Sequence, residues 1–150
     1  MIYGVDLGMR SLYIYGTEDI HIVSVPKGDR YLEIYSMAKW VSQIFDKDDT
    51  VFYEEPVLAG PKNIRTIIGL AQSSAALLSG SVAHCYEVPV GTWKKEVVGK
   101  GNAKKEEVAA WLKENDPESF DRCGEDQNLI DAACIQKYGI KVMDRLSSAT

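Results

Sequence analysis

The stretch IYGVDLGMRSLYIYGTEDIHIVSV, residues 2–25, predicts three short β-strands in succession. Each segment is rich in β-branched and aromatic residues, and glycine or charged turn residues separate one segment from the next. The predicted strands are Ile2 to Asp6, Ser11 to Gly16 and Ile20 to Val25. Strands joined by such short turns predict a β-meander at the start of the fold.

From residue 29 onward, helical and strand-like segments alternate. The predicted helices are 29–46 with Asp29 as N-cap, Ile64 to Leu78, Ala103 to Glu114, and Gln127 to Tyr138. The predicted strands are Val51 to Tyr53 and Val82 to Val88. We expect loops at Gly60-Pro61, in the connection 91–102 and in the polar residues after Asp116-Pro117, a helix end at Gly139, and a frayed tail over 143–150. The order predicts one α/β domain over 1–150, β3-α-β-α-β-α-α, with a mixed five-stranded sheet and helices on both faces.

The composition is that of a globular protein, with 150 residues, 45% of them apolar and 26% charged. No apolar run approaches the roughly 20 residues of a membrane span, and the N-terminus lacks the pattern of a signal peptide. The cysteines Cys85, Cys123 and Cys134 are too few for a disulfide framework, which favours a reducing, cytoplasmic location. The net charge of -5 argues against a nucleic-acid binder that is basic over its whole surface.

Three acidic residues lie in apolar surroundings, where an unpaired carboxylate is expensive to bury. Asp6 ends the first strand, Glu54 ends the fourth, and Asp131 lies within the last helix. Each acid alone is more often a cap or an ion-pair partner, and Glu55 points to the opposite face from Glu54. Together, however, the three form an oxygen-only set that suits Mg²⁺ or Mn²⁺. The chemistry that they best support is phosphodiester cleavage with two metal ions per site.

The segment GTWKKEVVGKGNAKK, residues 91–105, carries a local charge of +4, whereas the rest of the chain carries -9. Its lysines are Lys94, Lys95, Lys100, Lys104 and Lys105. Such segregation can mark a phosphate-binding strip, although a solvated lysine-rich loop is an equally good interpretation. Trp93 is expected either to stack on a ligand or to anchor the loop in the core.

Four motifs in this order resemble those of the RuvC-type Holliday-junction resolvases, a branch of the RNase H-like nucleases. IYGVDLG at 2–8 resembles the strand that carries the family's catalytic aspartate, and VFYEEP at 51–56 the strand with its catalytic glutamate. KKEVVGKGNAKK at 94–105 resembles the family's most specific signature, with Lys94 and Lys105 at its two lysines. NLIDA at 128–132 resembles the C-terminal acidic motif, although Asn128 stands where the family has an acid or histidine.

The resemblance implies a homodimeric, magnesium-dependent endonuclease that cuts four-way DNA junctions. It implies that Asp6, Glu54 and Asp131 are metal ligands and catalytic residues. It further implies that Lys94 and Lys105 assist catalysis. The alanine-rich helix Ile64 to Leu78 is the expected dimer contact. Val57 stands in place of the family's aromatic residue near the junction centre. A less selective nuclease for flaps, forks or RNA–DNA hybrids, and an inactive DNA-binding scaffold, remain alternatives. The short chain looks more similar to viral than to cellular versions of the family.

Two residues compete for the fourth position of the metal site. Asn128 lies three residues before Asp131 and therefore shares a helix face with it. Asp126 is about 140° away on a regular helix and is better placed to cap its N-terminus. We therefore expect Asn128 to be a neutral metal ligand and Asp126 the cap, with the reverse assignment still open.

Overall fold

A five-stranded mixed sheet forms the centre of the computed structural model, which describes residues 1–57 and 64–149. The strands are β1 (Ile2–Leu7), β2 (Ser11–Gly16), β3 (Ile20–Ser24), β4 (Thr50–Glu54) and β5 (His84–Val88). Their order across the sheet is β3-β2-β1-β4-β5. Strands β1, β2 and β3 form an antiparallel meander, whereas β4 is parallel to both β1 and β5. The predicted meander and mixed sheet are therefore confirmed.

Helices cover both faces of the sheet, as predicted. They are α1 (Arg30–Val41), α2 (Ile64–Gly80), α3 (Val90–Val98), α4 (Lys105–Asn115), α5 (Pro117–Cys123) and α6 (Gln127–Ser148). One core lies between the sheet and α1 with α2, and includes Val5 and Met37. The second core lies between the opposite face and α3 to α6, and includes Phe52 and Trp93. No helix in the described part of the chain is long and apolar enough to cross a membrane.

The contact between α6 and β1 is made possible by Gly4. A Cβ atom at Gly4 would lie 2.0 Å from the carbonyl oxygen of Ala132 and 2.3 Å from the backbone nitrogen of Gln136. The α6 backbone therefore packs directly on the β1 backbone, which no larger residue would permit. Because side chains alternate along a strand, Asp6 points to the same face as Gly4, toward α6.

Three predictions about the C-terminal half are wrong. The connection 91–102 contains α3, whose buried residues Trp93 and Val97 lie one turn apart, and the helix ends at Gly99 with a φ of 93°. The sequence Asp116-Pro117 begins a helix as well as ending one, because the Asp116 carboxylate caps α5 by accepting from the Ser119 amide.

The third error is the helix end predicted at Gly139. A Cβ atom there would lie 2.4 Å from the ring of Phe52, so the glycine makes room for a core side chain inside α6. Residues 143–148, the expected frayed tail, are therefore helical. The α1 helix ends at Val41 rather than at residue 46, and the other predicted bounds hold to within two residues. The loop predicted at Gly60-Pro61 lies outside the described residues.

Candidate active site

Asp6, Glu54 and Asp131 come together at one edge of the sheet, on the face covered by α6. Val5 pairs with Tyr53 in the parallel β1–β4 ladder, so Asp6 and Glu54 follow at neighbouring strand ends. Burial raises the pKa of all three carboxyl groups above its ordinary value. The charges of Asp131 and Glu54 raise the pKa of Asp6 further, and Asp131 does the same to Glu54. The three acids therefore repel one another in a partly desolvated cleft.

The donor chemistry of this cleft fits a divalent cation. None of the ion pairs within the described residues includes Asp6, Glu54 or Asp131, so no cationic side chain of this part of the chain forms an ion pair with them. Oxygen-only donors with excess negative charge suit Mg²⁺ or Mn²⁺ rather than softer metals. Over residues 1–57 and 64–149, however, no group of three or more His, Cys, Asp or Glu side chains is already spaced to hold an ion. The charges of the three carboxylates therefore interact, but their oxygens are not yet spaced to coordinate a metal ion.

Glu54 has a partner that the sequence did not indicate. The indole Nε1 of Trp93 donates a hydrogen bond of 2.8 Å to Oε2 of Glu54. Trp93 is completely buried, so the expectation that it could stack on a ligand is wrong and the core-anchor alternative is right. No local pattern could have shown this contact, because the two residues are 39 positions apart.

Asp131 is also held by a neutral donor, which sequence reasoning missed. The side-chain amide of Gln127 donates to Oδ1 of Asp131 at 3.1 Å. The four-residue spacing within α6 places the two side chains on one helix face and is a signal that could have found the pair.

Lys94 and Lys105 lie beside the acids. The positive charge of Lys94 lowers the pKa of Glu54 and of Asp131, and that of Lys105 lowers the pKa of Asp6 and of Asp131, although burial dominates in each case. Nζ of Lys94 donates to the carbonyl oxygen of Ala103 at 3.0 Å. Lys105 is exposed at the first residue of α4. The structure therefore brings both predicted lysines to the candidate site.

The other lysines of the 91–105 segment have different surroundings. Lys100 forms an ion pair of 2.9 Å with Glu107, and the backbone nitrogen of Lys104 donates to the same carboxylate at 2.7 Å. Both contacts stabilise the start of α4. Lys95 is exposed on α3. The strip is thus divided between the candidate site and a helix terminus.

Asp126 is the N-cap of α6, as predicted. Its Oδ1 accepts hydrogen bonds from the backbone nitrogens of Asn128 at 2.9 Å and Leu129 at 3.2 Å. Its charge also raises the pKa of Asp6, so the cap lies close to the candidate site. The Asn128 side chain is half-buried. Its role as a fourth ligand stays a prediction.

A mixed five-stranded sheet in this strand order, with helices on both faces, is the RNase H-like fold that the sequence predicted. Within that class the chain has the RuvC-type fold. The structure of Thermus thermophilus RuvC matches with a TM-score of 0.68 and 18% identity, over 90% of each chain. T. thermophilus RuvC in complex with a Holliday junction substrate matches with a TM-score of 0.61 and 16% identity, over 90% of this chain and 89% of that one. No protein-family model matches the sequence, and no curated protein matches it either.

Proposed function

We propose that this protein is a metal-dependent, structure-specific DNA endonuclease that resolves four-way junctions by hydrolysing phosphodiester bonds. One observation carries the proposal: three mutually repelling carboxylates, with Lys94 and Lys105 beside them, lie at one edge of a RuvC-type sheet. A RuvC with the same fold was solved together with a Holliday junction, which supports branched DNA as the substrate class. A cytoplasmic site of action, as the cysteine content predicts, belongs to the same proposal.

Asp6, Glu54 and Asp131 would hold two Mg²⁺ or Mn²⁺ ions, with Asn128 as a neutral fourth ligand. When bound, such ions supply an activated water and stabilise charge on the phosphate that is cleaved. The protein's own part is to hold the three carboxylates close together in spite of their repulsion. Burial and mutual repulsion, which raise their pKa values, also favour capture of a cation by the ionised forms.

Lys94 and Lys105 would act on the phosphate. The ammonium group of Lys94 is held by the Ala103 carbonyl. It therefore remains near Glu54 and Asp131 without forming an ion pair with either of them. Fixed positive charge at this place stabilises the negative charge that develops during cleavage. Recognition of the junction would rest on its shape and its phosphate backbone rather than on base edges.

We propose further that the active form is a homodimer, because two symmetric cuts in one junction need two active sites. An apolar stripe on α2 supports the predicted contact helix. Its members, Ile64, Ile68, Ala71, Ala75 and Leu78, are all exposed and follow one another at intervals of four and three residues. This is the spacing of a helix–helix seam, and the two alanines at its centre allow close approach of a second α2.

Substitution within the stripe tests the dimer. Ile68→Asp should convert the dimer to a monomer in light scattering, because it places a charge in the seam. Ile22→Asp on β3 is the matched control, since Ile22 and Ile68 are each 52% exposed. A wild-type chain that stays monomeric with and without a junction would refute the dimer.

The activity is tested on four-way, flap, fork, RNA–DNA hybrid and linear substrates over a range of Mg²⁺ and Mn²⁺ concentrations. The proposal predicts preferential cleavage of the four-way junction, and loss of cleavage with retained binding in Asp6→Asn. Equal cleavage of flaps or hybrids would favour the less selective nuclease. Binding without cleavage at any metal concentration would favour the scaffold.

A further inference from the structure

The hydrogen bond between Trp93 and Glu54 is unusual because it joins a core residue to a candidate metal ligand. Trp93 is fully buried and packs with Val88, Val97 and Leu112. A buried indole N–H requires a hydrogen-bond partner, and here the partner is Oε2 of Glu54 at 2.8 Å. A fully buried side chain therefore holds one oxygen of the carboxylate.

The backbone fixes this contact from both sides. Glu54 pairs with Val88 in the β4–β5 ladder, and the amide of Glu55 donates to the Val88 carbonyl at 2.8 Å. Helix α3 begins at Val90, directly after β5, so Trp93 lies in its first turn. The distance between indole and carboxylate is thus set by a strand ladder and a helix start rather than by a flexible loop.

A neutral donor suits this position better than a cation would. A lysine or arginine paired with Glu54 would orient the carboxylate but would also compensate its charge. The indole N–H orients the group and leaves its full negative charge. No described protein group donates to the other oxygen, Oε1, which remains open to a metal ion.

The face of the same indole ring borders Lys94. Its Nζ lies 5.6 Å from the centre of the Trp93 ring, within the range of a cation–π contact. One side chain therefore contacts both an acid and a lysine of the candidate site. This arrangement fixes the two groups relative to each other.

We propose that Trp93 is a positioning residue that holds Glu54 in the orientation needed for metal binding, and thereby sets the affinity for the metal. This inference rests on the proposed function, since it takes Glu54 as a ligand. Partners that orient a metal ligand typically change metal affinity by about 10–100-fold when they are removed.

Mn²⁺ binding to the DNA-free protein tests the inference. Trp93→Phe removes the N–H group and keeps an aromatic ring in the core. It should weaken Mn²⁺ binding about tenfold, and cleavage should recover toward the wild-type rate when the metal concentration is raised. Trp111→Phe is the control, because Trp111 packs partly buried against the same core, and it should bind Mn²⁺ as the wild type does. A merely structural role for Trp93 would lower cleavage equally at every metal concentration.

The proton NMR spectrum of the wild type gives a second measurement that does not depend on a variant's folding. Of the three indole N–H signals, Mg²⁺ should shift that of Trp93 and leave those of Trp40 and Trp111 in place. If the wild type binds metal and cleaves, but the Trp93 signal does not move or Trp93→Phe binds metal normally, the inference alone is refuted. If the wild type binds no metal at all, the proposed function fails and the inference falls with it.

Discussion

Asp6→Asn should make the protein more stable in the absence of metal while abolishing its cleavage activity. Burial, Asp131 and Glu54 all raise the pKa of Asp6, and the opposing charge of Lys105 does not offset them. The ionised carboxylate is therefore a destabilising group of the folded state. Asparagine has nearly the same shape and carries no charge, so it removes the repulsion without creating a cavity.

The size of the gain follows from the surroundings of the carboxylate. Leaving a buried polar group unsatisfied costs about 1–3 kcal/mol, and more for a charged one. Asp6 retains some solvent exposure, and the asparagine amide is itself desolvated, so we expect a net gain of about 1–2 kcal/mol. For a chain of this length that corresponds to a rise of about 2–8 °C in the melting temperature.

The pH dependence of this gain has a definite sign. A carboxyl group whose pKa is higher in the folded state makes the folded protein bind more protons than the unfolded chain. Stability therefore falls as the pH rises from about 4, the unfolded value, through the raised pKa of Asp6. The advantage of Asp6→Asn should be small near pH 4 and complete only above the raised pKa.

Thermal unfolding of wild type and Asp6→Asn, in EDTA and in Mg²⁺, measures these effects. Mg²⁺ at ten times its Kd should stabilise the wild type by about 1.4 kcal/mol and the variant by less. Asp48→Asn is the control for net charge, because Asp48 is exposed in a turn. If Asp6→Asn were less stable than the wild type in EDTA, or gained as much from Mg²⁺, the repulsion argument would be refuted.

Two further predictions concern residues around the acids, and a third concerns the N-cap of α5. Lys94→Ala and Lys105→Ala should each lower turnover about 100-fold with little change in DNA affinity, because the lysine charge acts on the reacting phosphate. Single-turnover kinetics and binding titrations measure the two effects separately. Asn128→Asp should lower the Mg²⁺ concentration needed for cleavage. Asp126→Asn should cost about 0.3–1 kcal/mol in thermal unfolding and leave cleavage intact, because asparagine still caps α6 but lacks the charge that favours a helix N-terminus. Burial raises the pKa of Asp116, but hydrogen bonds from a lysine of α6 and a serine of α5 lower this pKa to about 2. Asp116→Asn should therefore cost about 1–2 kcal/mol at pH 7, and this loss should vanish between pH 4 and pH 2 in acid unfolding.

The sheet and the acid set could be predicted because their signals are local. Period-two alternation in residues 2–25 and the apolar run before Glu54 each report on their own strand. An acid that directly follows such an apolar run stands out in the sequence, because an unpaired carboxylate is expensive to bury there. The capping role of Asp126 could also be predicted from the sequence, because it depends only on the first turn of the helix that follows.

Three of the features that were missed depend on tertiary contacts. Gly139 has the sequence signal of a helix end, yet the Phe52 ring from β4 occupies the space beside it and the helix continues. The 91–102 segment has the glycines and lysines of a loop, whereas the burial of Trp93 and Val97 makes its first part, up to Val98, helical. The bond between Trp93 and Glu54 arises only when β4, β5 and α3 are assembled.

Cleavage of a supercoiled plasmid that extrudes a cruciform tests the proposed nuclease activity, because the product reports both the chemistry and the pairing of cuts. The wild type should convert the plasmid to a linear form with Mg²⁺ or Mn²⁺, through two paired cuts at the cruciform. Asp6→Asn, Glu54→Gln and Asp131→Asn should each leave the plasmid supercoiled. A wild type that yields no cut product at any metal concentration would refute the nuclease activity, and an Asp6→Asn variant that linearises the plasmid as fast as the wild type would refute the assigned active site.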